Sequence, residues 1–224
     1  MKLAVLGTGM VGRTIAAKLA SAGHDIALGT RDPDASLARQ PGNGTSLKDW
    51  LALNPDIGLM RMDEAAAFGD MLFAVMAGDA AVNALGEIGT DVIGDKIVVD
   101  ITNPLDFSHG IPPSLFISNT DSLAEAIQRA LPRARIVKTL NTVNANVMVE
   151  PALVADGDHT MFVCGNDPEA RAEIAQFLKS EFGWKDVMDL GDLTAARGME
   201  ASLHLWLKLW ASIGSLSFSI KVVR

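Results

Sequence analysis

Three closely spaced glycines near the start of the chain have the spacing of a phosphate-binding turn. The segment follows the pattern Gly-x-Gly-x-x-Gly and reads Gly7-Thr8-Gly9-Met10-Val11-Gly12. In such a turn the first glycine allows a tight bend, the second lets a pyrophosphate approach the backbone, and the third lets a helix pack closely on a strand. The amides at the start of that helix then point at the phosphates. We therefore expect all six residues to bind a dinucleotide.

The segments on either side of this turn strengthen that interpretation. An apolar run at 2–6 predicts a strand before it, residues 13–22 predict a helix after it, and a second strand is predicted to end at Gly29-Thr30-Arg31. A glycine triplet alone is weak evidence, but a triplet between a strand and a helix is a strong signal.

The end of the second predicted strand indicates which dinucleotide binds. An NAD site usually places an acidic residue about 20 residues after the glycines, where it bonds the ribose 2′-hydroxyl. Here Thr30 and Arg31 occupy that place, and Asp32 comes one position later. A guanidinium pairs with a 2′-phosphate, and the threonine hydroxyl can donate a further bond. These residues predict NADP rather than NAD, with a solvated surface charge as the alternative for Arg31.

Composition narrows the class of protein. The chain has 224 residues, of which 49% are hydrophobic, and a formal net charge of −8. With no run of lysines and arginines, nucleic acid and anionic membranes are disfavoured as partners. No uncharged apolar run approaches the length of about 18 residues that a membrane span needs, and the first residues do not resemble a signal peptide. We expect a cytoplasmic protein. Its single cysteine, Cys164, excludes an intrachain disulfide and is expected in a buried strand.

Predicted strands and helices alternate along most of the chain. This pattern predicts an α/β fold of the Rossmann type, doubly wound, with a mostly parallel sheet. Near residue 140 the pattern changes, so we expect an NADP-binding domain at 1–140 and a smaller C-terminal α/β domain at 141–224 with cleft-lining and dimerisation helices. Residues 41–44 predict a turn and 218–222 a last strand. Residues 105–119 predict a long connection that is either functional or disordered.

Ligands of open α/β sheets bind beyond the carboxyl ends of the strands. Met76 and Ala77 follow one predicted strand and are expected beside the ribose or nicotinamide. Asn103 and Asn141 follow two others and are expected to bond the carboxamide or the substrate, with turn formation as the alternative. Glu200, His204 and Lys208 recur at a spacing of four, a polar stripe that either lines the cleft or faces water.

No motif predicts a nucleophile or a metal site. The four histidines are scattered, and the sequence contains no Gly-x-Ser-x-Gly. We therefore assign no catalytic residue and no metal ligand. Hydride exchange between two redox cofactors fits this pattern, because it asks the protein mainly to align two rings in a dry cleft.

The chain resembles the NADPH-dependent reductases of the deazaflavin coenzyme F420, also called F420:NADP oxidoreductases. The resemblance covers nearly the whole chain and is strongest at residues 7–12, 29–31, 100–105, 137–142, 163–167 and 189–197. It implies a homodimer, a large nucleotide-binding domain and a small C-terminal domain, with direct hydride transfer between nicotinamide and deazaflavin in the cleft between them. It also assigns Thr30 and Arg31 to the 2′-phosphate, and Met76, Ala77 and the segment around Asn141 to the nicotinamide side.

Two departures from the family pattern concern the ligands. Family members often add a second basic residue a few positions after the arginine, but here the next cation is Arg39. The connection at 105–119 also looks longer than in archaeal members. An NADPH-dependent reductase of a flavin or another small acceptor is therefore one alternative, and a dinucleotide-binding sensor without turnover is another.

Overall fold

The computed structural model describes residues 1–40 and 44–224 of the chain. Three of the four residues of the turn predicted at 41–44 therefore lie outside the described residues. Within the described ranges, no helix is long and apolar enough to cross a membrane.

The largest element is a sheet of eight strands. In chain order the strands of the protein are β1 (Lys2–Leu6), β2 (Asp25–Thr30), β3 (Ile57–Arg61), β4 (Met71–Ala74), β5 (Ile97–Asp100), β6 (Leu105–Asp106), β7 (Ser114–Leu115), β8 (Arg135–Thr139), β9 (Thr160–Gly165) and β10 (Asp186–Asp189). The sheet has the order β10-β9-β8-β5-β4-β1-β2-β3, and β6 pairs with β7 in a separate antiparallel ribbon.

The strand order confirms the predicted doubly wound Rossmann-type fold. All six strands from β3 to β8 in this order are parallel, whereas β9 runs antiparallel to β8 and parallel to β10. The order reverses at β1, with β2 on one side and β4 on the other. Such a switch point opens a crevice at the carboxyl ends of the strands, where ligands bind.

Helices cover both faces of the sheet. They are α1 (Met10–Ser21), α2 (Pro33–Ala38), α3 (Leu47–Ala52), α4 (Met62–Phe68), α5 (Gly78–Ile88), α6 (Thr90–Ile93), α7 (Leu123–Ala130), α8 (Ala145–Val149), α9 (Pro168–Glu181), α10 (Ala196–Ala201) and α11 (Leu203–Ile213). Short 3-10 turns occur at Pro151–Leu153, Ala155–Gly157 and Leu193–Ala195.

The hydrophobic core has two layers, one on each face of the sheet. Leu3 and Val5 of β1 face one layer, and Ala4 and Leu6 face the other. Successive side chains of a strand point to opposite faces, so a strand buried on both sides must be apolar throughout. This explains why the central strands read as short continuous apolar runs.

Two details of the fold differ from the sequence prediction or extend it. The strand predicted at 218–222 is wrong: residues 215–224 form no regular strand, although the N–H of Thr160 donates to the carbonyl of Ile220 at 3.0 Å. The sheet also continues across residue 140, because β9 of the C-terminal segment pairs with β8. The division into domains at 1–140 and 141–224 stays a prediction.

Candidate active site

The glycine-rich turn connects β1 to α1, and its geometry explains two of the three glycines directly. Gly7 has φ +132°, and a Cβ there would lie 3.1 Å from the backbone nitrogen of Met76. A Cβ at Gly12 would lie 1.9 Å from the carbonyl oxygen of Gly7. Only glycine therefore fits at these positions, because β1, α1 and the segment after β4 approach each other so closely.

The other side of the turn is open. A Cβ built at Gly9 would have no atom of the described residues within 4 Å. Gly9 is also the N-cap of α1, and among the described residues no side chain caps this helix and no acidic residue lies in its first turn. The uncapped amides and the helix dipole make this end of α1 suited to an anion.

The side chains of the turn point in different directions. Thr8 is half-buried and borders the cleft, and Met10 is exposed. The side chain of Val11 packs against the core, so its contribution to a ligand site would be its backbone amide.

A cleft of about 430 Å³ lies at the carboxyl ends of β1, β2 and β4. It brings together most of the residues that the sequence predicts for the dinucleotide, namely Gly7, Thr8, Gly9, Thr30, Arg31, Met76 and Ala77. Residues from three separate segments, each at the carboxyl end of a strand, therefore border one continuous cleft.

At the β2 end of the cleft, the polar side chains are two hydroxyls, two guanidiniums and one carboxylate, that of Asp32. The hydroxyls of the buried Thr30 and of Ser36 lie 2.7 Å apart, and the exposed Arg31 borders the same cleft. The carboxylate of Asp32 accepts the N–H of Ala35 at 3.0 Å as the N-cap of α2. This carboxylate is therefore engaged in capping a helix.

Arg39 also borders this cleft, which the sequence analysis did not anticipate. The short helix α2 turns the chain back, so that Ser36 within it and Arg39, the residue just after it, both reach the cleft. The signal that predicts this helix is Asp32-Pro33, an N-cap residue followed by a proline in the first turn.

A second depression of about 570 Å³ adjoins the phosphate turn and shares Thr8, Gly9 and Arg39 with the first. Arg13 of α1 lies in its wall and donates to the carbonyl oxygens of Thr8 at 2.9 Å and Thr45 at 2.7 Å. Arg13 therefore ties the turn to the segment before α3.

At the other end of the cleft, the segments after β4 and β5 touch. The first residue of α5 is Gly78, where a Cβ would lie 2.0 Å from the carbonyl oxygen of Asn103. This close approach places the segment after β5 beside Met76 and Ala77.

Asn103 and Asn141 form a reciprocal pair at the ends of β5 and β8. The side-chain amide of Asn141 donates to Oδ1 of Asn103 at 3.0 Å and, at 3.3 Å, to the carbonyl of Met199. The amide of Asn103 donates to the carbonyl of Asn141 at 3.2 Å. Leu140, between β8 and Asn141, has φ +62°, and the N–H of Asn141 donates to the carbonyl of Thr139. This tight turn aims Asn141 at Asn103.

The Asn141 side chain has an unused hydrogen-bonding group. The residue is only 2% exposed, and its Oδ1 has no hydrogen-bond partner among the described residues. A buried acceptor without a partner costs free energy. A ligand amide would satisfy it after a local shift that opens this oxygen to the neighbouring cleft.

Three charged side chains are buried directly beneath this pair. Nζ of Lys138 lies 3.0 Å from a carboxylate oxygen of Asp100 and 3.0 Å from one of Glu200, and it donates to the carbonyl of Thr102 at 2.5 Å. Burial alone would lower the pKa of the Lys138 ammonium, but the attraction of Asp100 and Glu200 outweighs it and holds that pKa above its ordinary value. We call Lys138, Asp100 and Glu200 the buried charge cluster.

This cluster corrects the polar stripe expected at Glu200, His204 and Lys208. Glu200 neither lines a cleft nor faces water, because it is 1% exposed and paired with Lys138, whereas His204 and Lys208 are exposed. The helix is interrupted at Ser202, between α10 and α11. The partners of Glu200 are far away in the sequence, so a local residue pattern does not predict that this side chain is buried.

The single cysteine and the metal-binding residue types complete the description of the candidate site. Cys164 is fully buried in β9, as predicted, and burial raises the pKa of its thiol to about 12. Its Sγ lies 3.6 Å from the sulfur of Met199. Such a thiol is not a nucleophile at neutral pH. Within residues 1–40 and 44–224, no group of three His, Cys, Asp or Glu residues is placed to hold a metal ion.

Comparisons with known proteins identify the family of the chain. The sequence profile of the family described as NADP oxidoreductase, coenzyme F420-dependent, matches residues 2–104. A crystal structure from Arthrobacter sp. FB24, named provisionally as an F420-dependent NADP-reductase, is 50% identical over 100% of both chains, with a TM-score of 0.96. The F420-dependent NADP reductase of Methanothermobacter thermautotrophicus is 27% identical, over 93% of this chain and 89% of that protein.

A more distant relative is much longer. The metalloreductase STEAP3 of Rattus norvegicus is 24% identical over 93% of this chain, but the chain spans only 38% of that protein.

The fold is of the Rossmann type, and the relatives identify the protein as an oxidoreductase. The chain belongs to the family of coenzyme F420-dependent NADP oxidoreductases, enzymes that use NADP and coenzyme F420. The resemblance noted from the sequence is thereby confirmed.

Proposed function

We propose that the protein transfers a hydride directly between NADP(H) and coenzyme F420. One observation supports this most: the carboxyl ends of β2, β1, β4, β5 and β8 carry, in spatial order, an arginine-rich end, an open glycine turn and a buried amide pair with an unused acceptor. This order matches the parts of NADP from the 2′-phosphate to the nicotinamide. The family relationship supplies the second substrate.

In this proposal the first half of NADP is held by residues at the ends of β1 and β2. The amides of residues 7–12 would bind the pyrophosphate at the start of α1. Thr30, Arg31, Ser36 and Arg39 would hold the 2′-phosphate, because hydroxyls and guanidiniums match its charge and donor needs. Asp32 leaves this role to them, since its carboxylate caps α2.

The second half of NADP would lie between β4 and β8. Met76 and Ala77 line the cleft and would border the ribose and nicotinamide. The unpaired Oδ1 of Asn141, which is buried beside the cleft, would accept a hydrogen bond from the carboxamide after a local shift on binding. Asn103 would fix the orientation of the Asn141 amide, because it accepts one of its two N–H groups.

When bound, the nicotinamide supplies the two-electron hydride chemistry, and the protein contributes alignment and exclusion of water. Asn141 is suited to this role because it is buried and held by two hydrogen bonds. No side chain is needed as a general acid or base at the transferring carbon.

We also propose that the protein is a homodimer that uses α11, in a C-terminal domain beginning near residue 141. Leu205, Trp210 and Ile213 of α11 are large apolar side chains with 40% or more of their surface exposed. Clusters of this kind usually mark an interface in a folded protein.

The experiment that tests the proposed function is anaerobic NADPH oxidation with a set of acceptors. We expect rapid oxidation with coenzyme F420, slow oxidation with FMN or FAD, and little oxidation when NADH replaces NADPH. Rapid flavin reduction with F420 inert would transfer the enzyme to the flavin-reductase class. Cofactor binding without turnover of any acceptor would indicate a sensor.

A further inference from the structure

The buried charge cluster is not used by the proposed chemistry, yet it joins four separate elements. Asp100 ends β5, Lys138 lies in β8, and Glu200 lies in α10. The two carboxylate oxygens of Glu200 also accept the N–H groups of Leu123 at 2.8 Å and Ala124 at 3.1 Å, at the start of α7. Glu200 therefore pairs with the Lys138 ammonium and caps the N-terminus of α7 at the same time.

Each charged residue of the cluster lies close in sequence to Asn103, to Asn141 or to Met199, which accepts a hydrogen bond from Asn141. Asp100 accepts the N–H and the hydroxyl of Thr102, which immediately precedes Asn103. Lys138 comes three residues before Asn141. Glu200 follows Met199, whose carbonyl accepts the second N–H of Asn141. The cluster thus joins the three chain segments that carry Asn103, Asn141 and Met199.

Stability alone does not explain such a cluster. Taking charges out of water is costly, and replacing a buried ion pair by apolar residues is often neutral or stabilising. Buried charges that are retained in spite of this cost are best attested where they specify one geometry. Here the geometry that depends on them is that of the amide pair.

We propose that the buried charge cluster is a positioning device for the nicotinamide half of NADP, with Glu200 as its central residue. Glu200 acts through Met199 and Asn141 and touches neither the cofactor nor the substrate. This inference rests on the proposed function, since it assumes that the Asn103–Asn141 pair receives the nicotinamide. It predicts that damage to the cluster weakens binding of the nicotinamide half and leaves the adenosine half unaffected.

Glu200→Gln is the most informative variant. The shape of the side chain is kept, but one oxygen becomes an N–H₂ group. That group must face either an N–H at the start of α7 or the Lys138 ammonium, since both oxygens of Glu200 already accept from donors. The local geometry around Met199 must then shift.

The test compares two ligands by calorimetry: NADP, and 2′,5′-ADP, which lacks the nicotinamide half. Losing one well-placed hydrogen bond is worth about tenfold in affinity, so Glu200→Gln should weaken NADP about tenfold and leave 2′,5′-ADP within about twofold. Gln128→Met is the matched control. Gln128 lies toward the other end of α7 and donates to the carbonyls of Leu131 and Ala134, both at 3.0 Å. Gln128→Met should leave the affinities for NADP and for 2′,5′-ADP unchanged, even if it changes the Tm.

Glu200→Asp serves if Glu200→Gln does not fold, because it keeps the charge and shortens the reach by one methylene. A smaller loss confined to NADP is expected for it. Equal losses for both ligands, or no loss for either, would overturn the positioning role. Wild-type protein that binds neither ligand would instead refute the proposed NADP function, and this inference with it.

Discussion

Asn103 and Asn141 follow strands β5 and β8, and each donates a side-chain hydrogen bond to the other residue, at 3.2 and 3.0 Å. The pair lies next to the cleft and outside its lining, where the backbone of Asn103 approaches Gly78, the residue after Met76 and Ala77. It leaves the buried Oδ1 of Asn141 without a partner among the described residues. The proposed site is therefore polar at both ends, with phosphate-binding groups at one and a buried amide at the other.

The assignment of Arg31 and Arg39 to the 2′-phosphate predicts that replacing either residue weakens the binding of NADPH but not of NADH. Arg31→Ala and Arg39→Ala should each weaken NADPH binding by roughly 1–3 kcal/mol, because each removes a charge-assisted hydrogen bond. NADH binding should hardly change, since NADH has no 2′-phosphate. Calorimetry with both cofactors measures this. The control is Arg133→Ala, an exposed arginine just before β8, at the amino ends of the parallel strands and so away from the cleft. Equal losses for both cofactors would contradict the assignment.

The environment of Cys164 predicts that its thiol is inert in the folded protein. Burial raises the pKa of this thiol to about 12, so almost none is ionised at pH 8. Iodoacetamide should therefore modify the protein only after unfolding, as mass spectrometry would reveal. Labelling of the native protein at the rate of the unfolded chain would show that β9 opens readily.

The ion pair between Glu125 and Arg197 predicts a stability difference that depends on pH. Two hydrogen bonds from the Arg197 guanidinium, at 2.9 and 2.6 Å, hold the pKa of the Glu125 carboxyl below its usual value of 4.5. Because the pKa of Glu125 is lower in the folded state, the ion pair stabilises the fold fully at pH values above 4.5. This stabilisation is lost as the pH falls through the folded-state pKa.

Glu125→Gln should therefore lower the Tm at pH 7, and its Tm should approach that of the wild type in acid. Glu87→Gln, an exposed glutamate of α5, is the matched control and should behave like the wild type at every pH. A Tm difference for Glu125→Gln that stays constant down to the lowest pH would show that packing, not charge, links α7 to α10.

The apolar surface of α11 predicts a dimer that one charge can disrupt. Light scattering should report a dimer of the wild type at micromolar concentration and a monomer of Trp210→Glu, because the interface cannot bury an unpaired carboxylate cheaply. Leu53→Glu places a charge on another exposed apolar residue, 78% exposed, and should leave the dimer intact. A monomeric wild type would refute the proposed assembly.

The parts of the site that the sequence predicts well are those set by local backbone geometry. Gly7 and Gly12 are required by contacts within one strand–turn–helix unit, so their spacing alone identifies the turn. Thr30, Arg31, Met76 and Ala77 follow from the rule that ligands bind at the carboxyl ends of parallel strands. The fold class follows from the same alternation of strands and helices.

The parts that the sequence misses depend on contacts between distant segments. Arg39 reaches the cleft only because α2 turns the chain back. Glu200 looks like part of a surface stripe, yet its partner Lys138 lies 62 positions away in a central strand. The tail at 215–224 has the alternation of a strand, but a strand also needs a continuous ladder with a neighbour. Among the described residues, the backbone of the tail bonds to β9 only at Thr160.

The most direct test of the central claim follows the hydride itself. NADPH carrying deuterium at one face of its nicotinamide C4 is mixed with the protein and coenzyme F420 in ordinary water, and the reduced deazaflavin is analysed by mass spectrometry. Direct transfer predicts that one stereoisomer of the labelled NADPH delivers its deuterium fully to the deazaflavin carbon, and that the other retains it in NADP. Deuterium lost to water, or NADPH oxidised by flavins while coenzyme F420 stays oxidised, would contradict the proposed reaction.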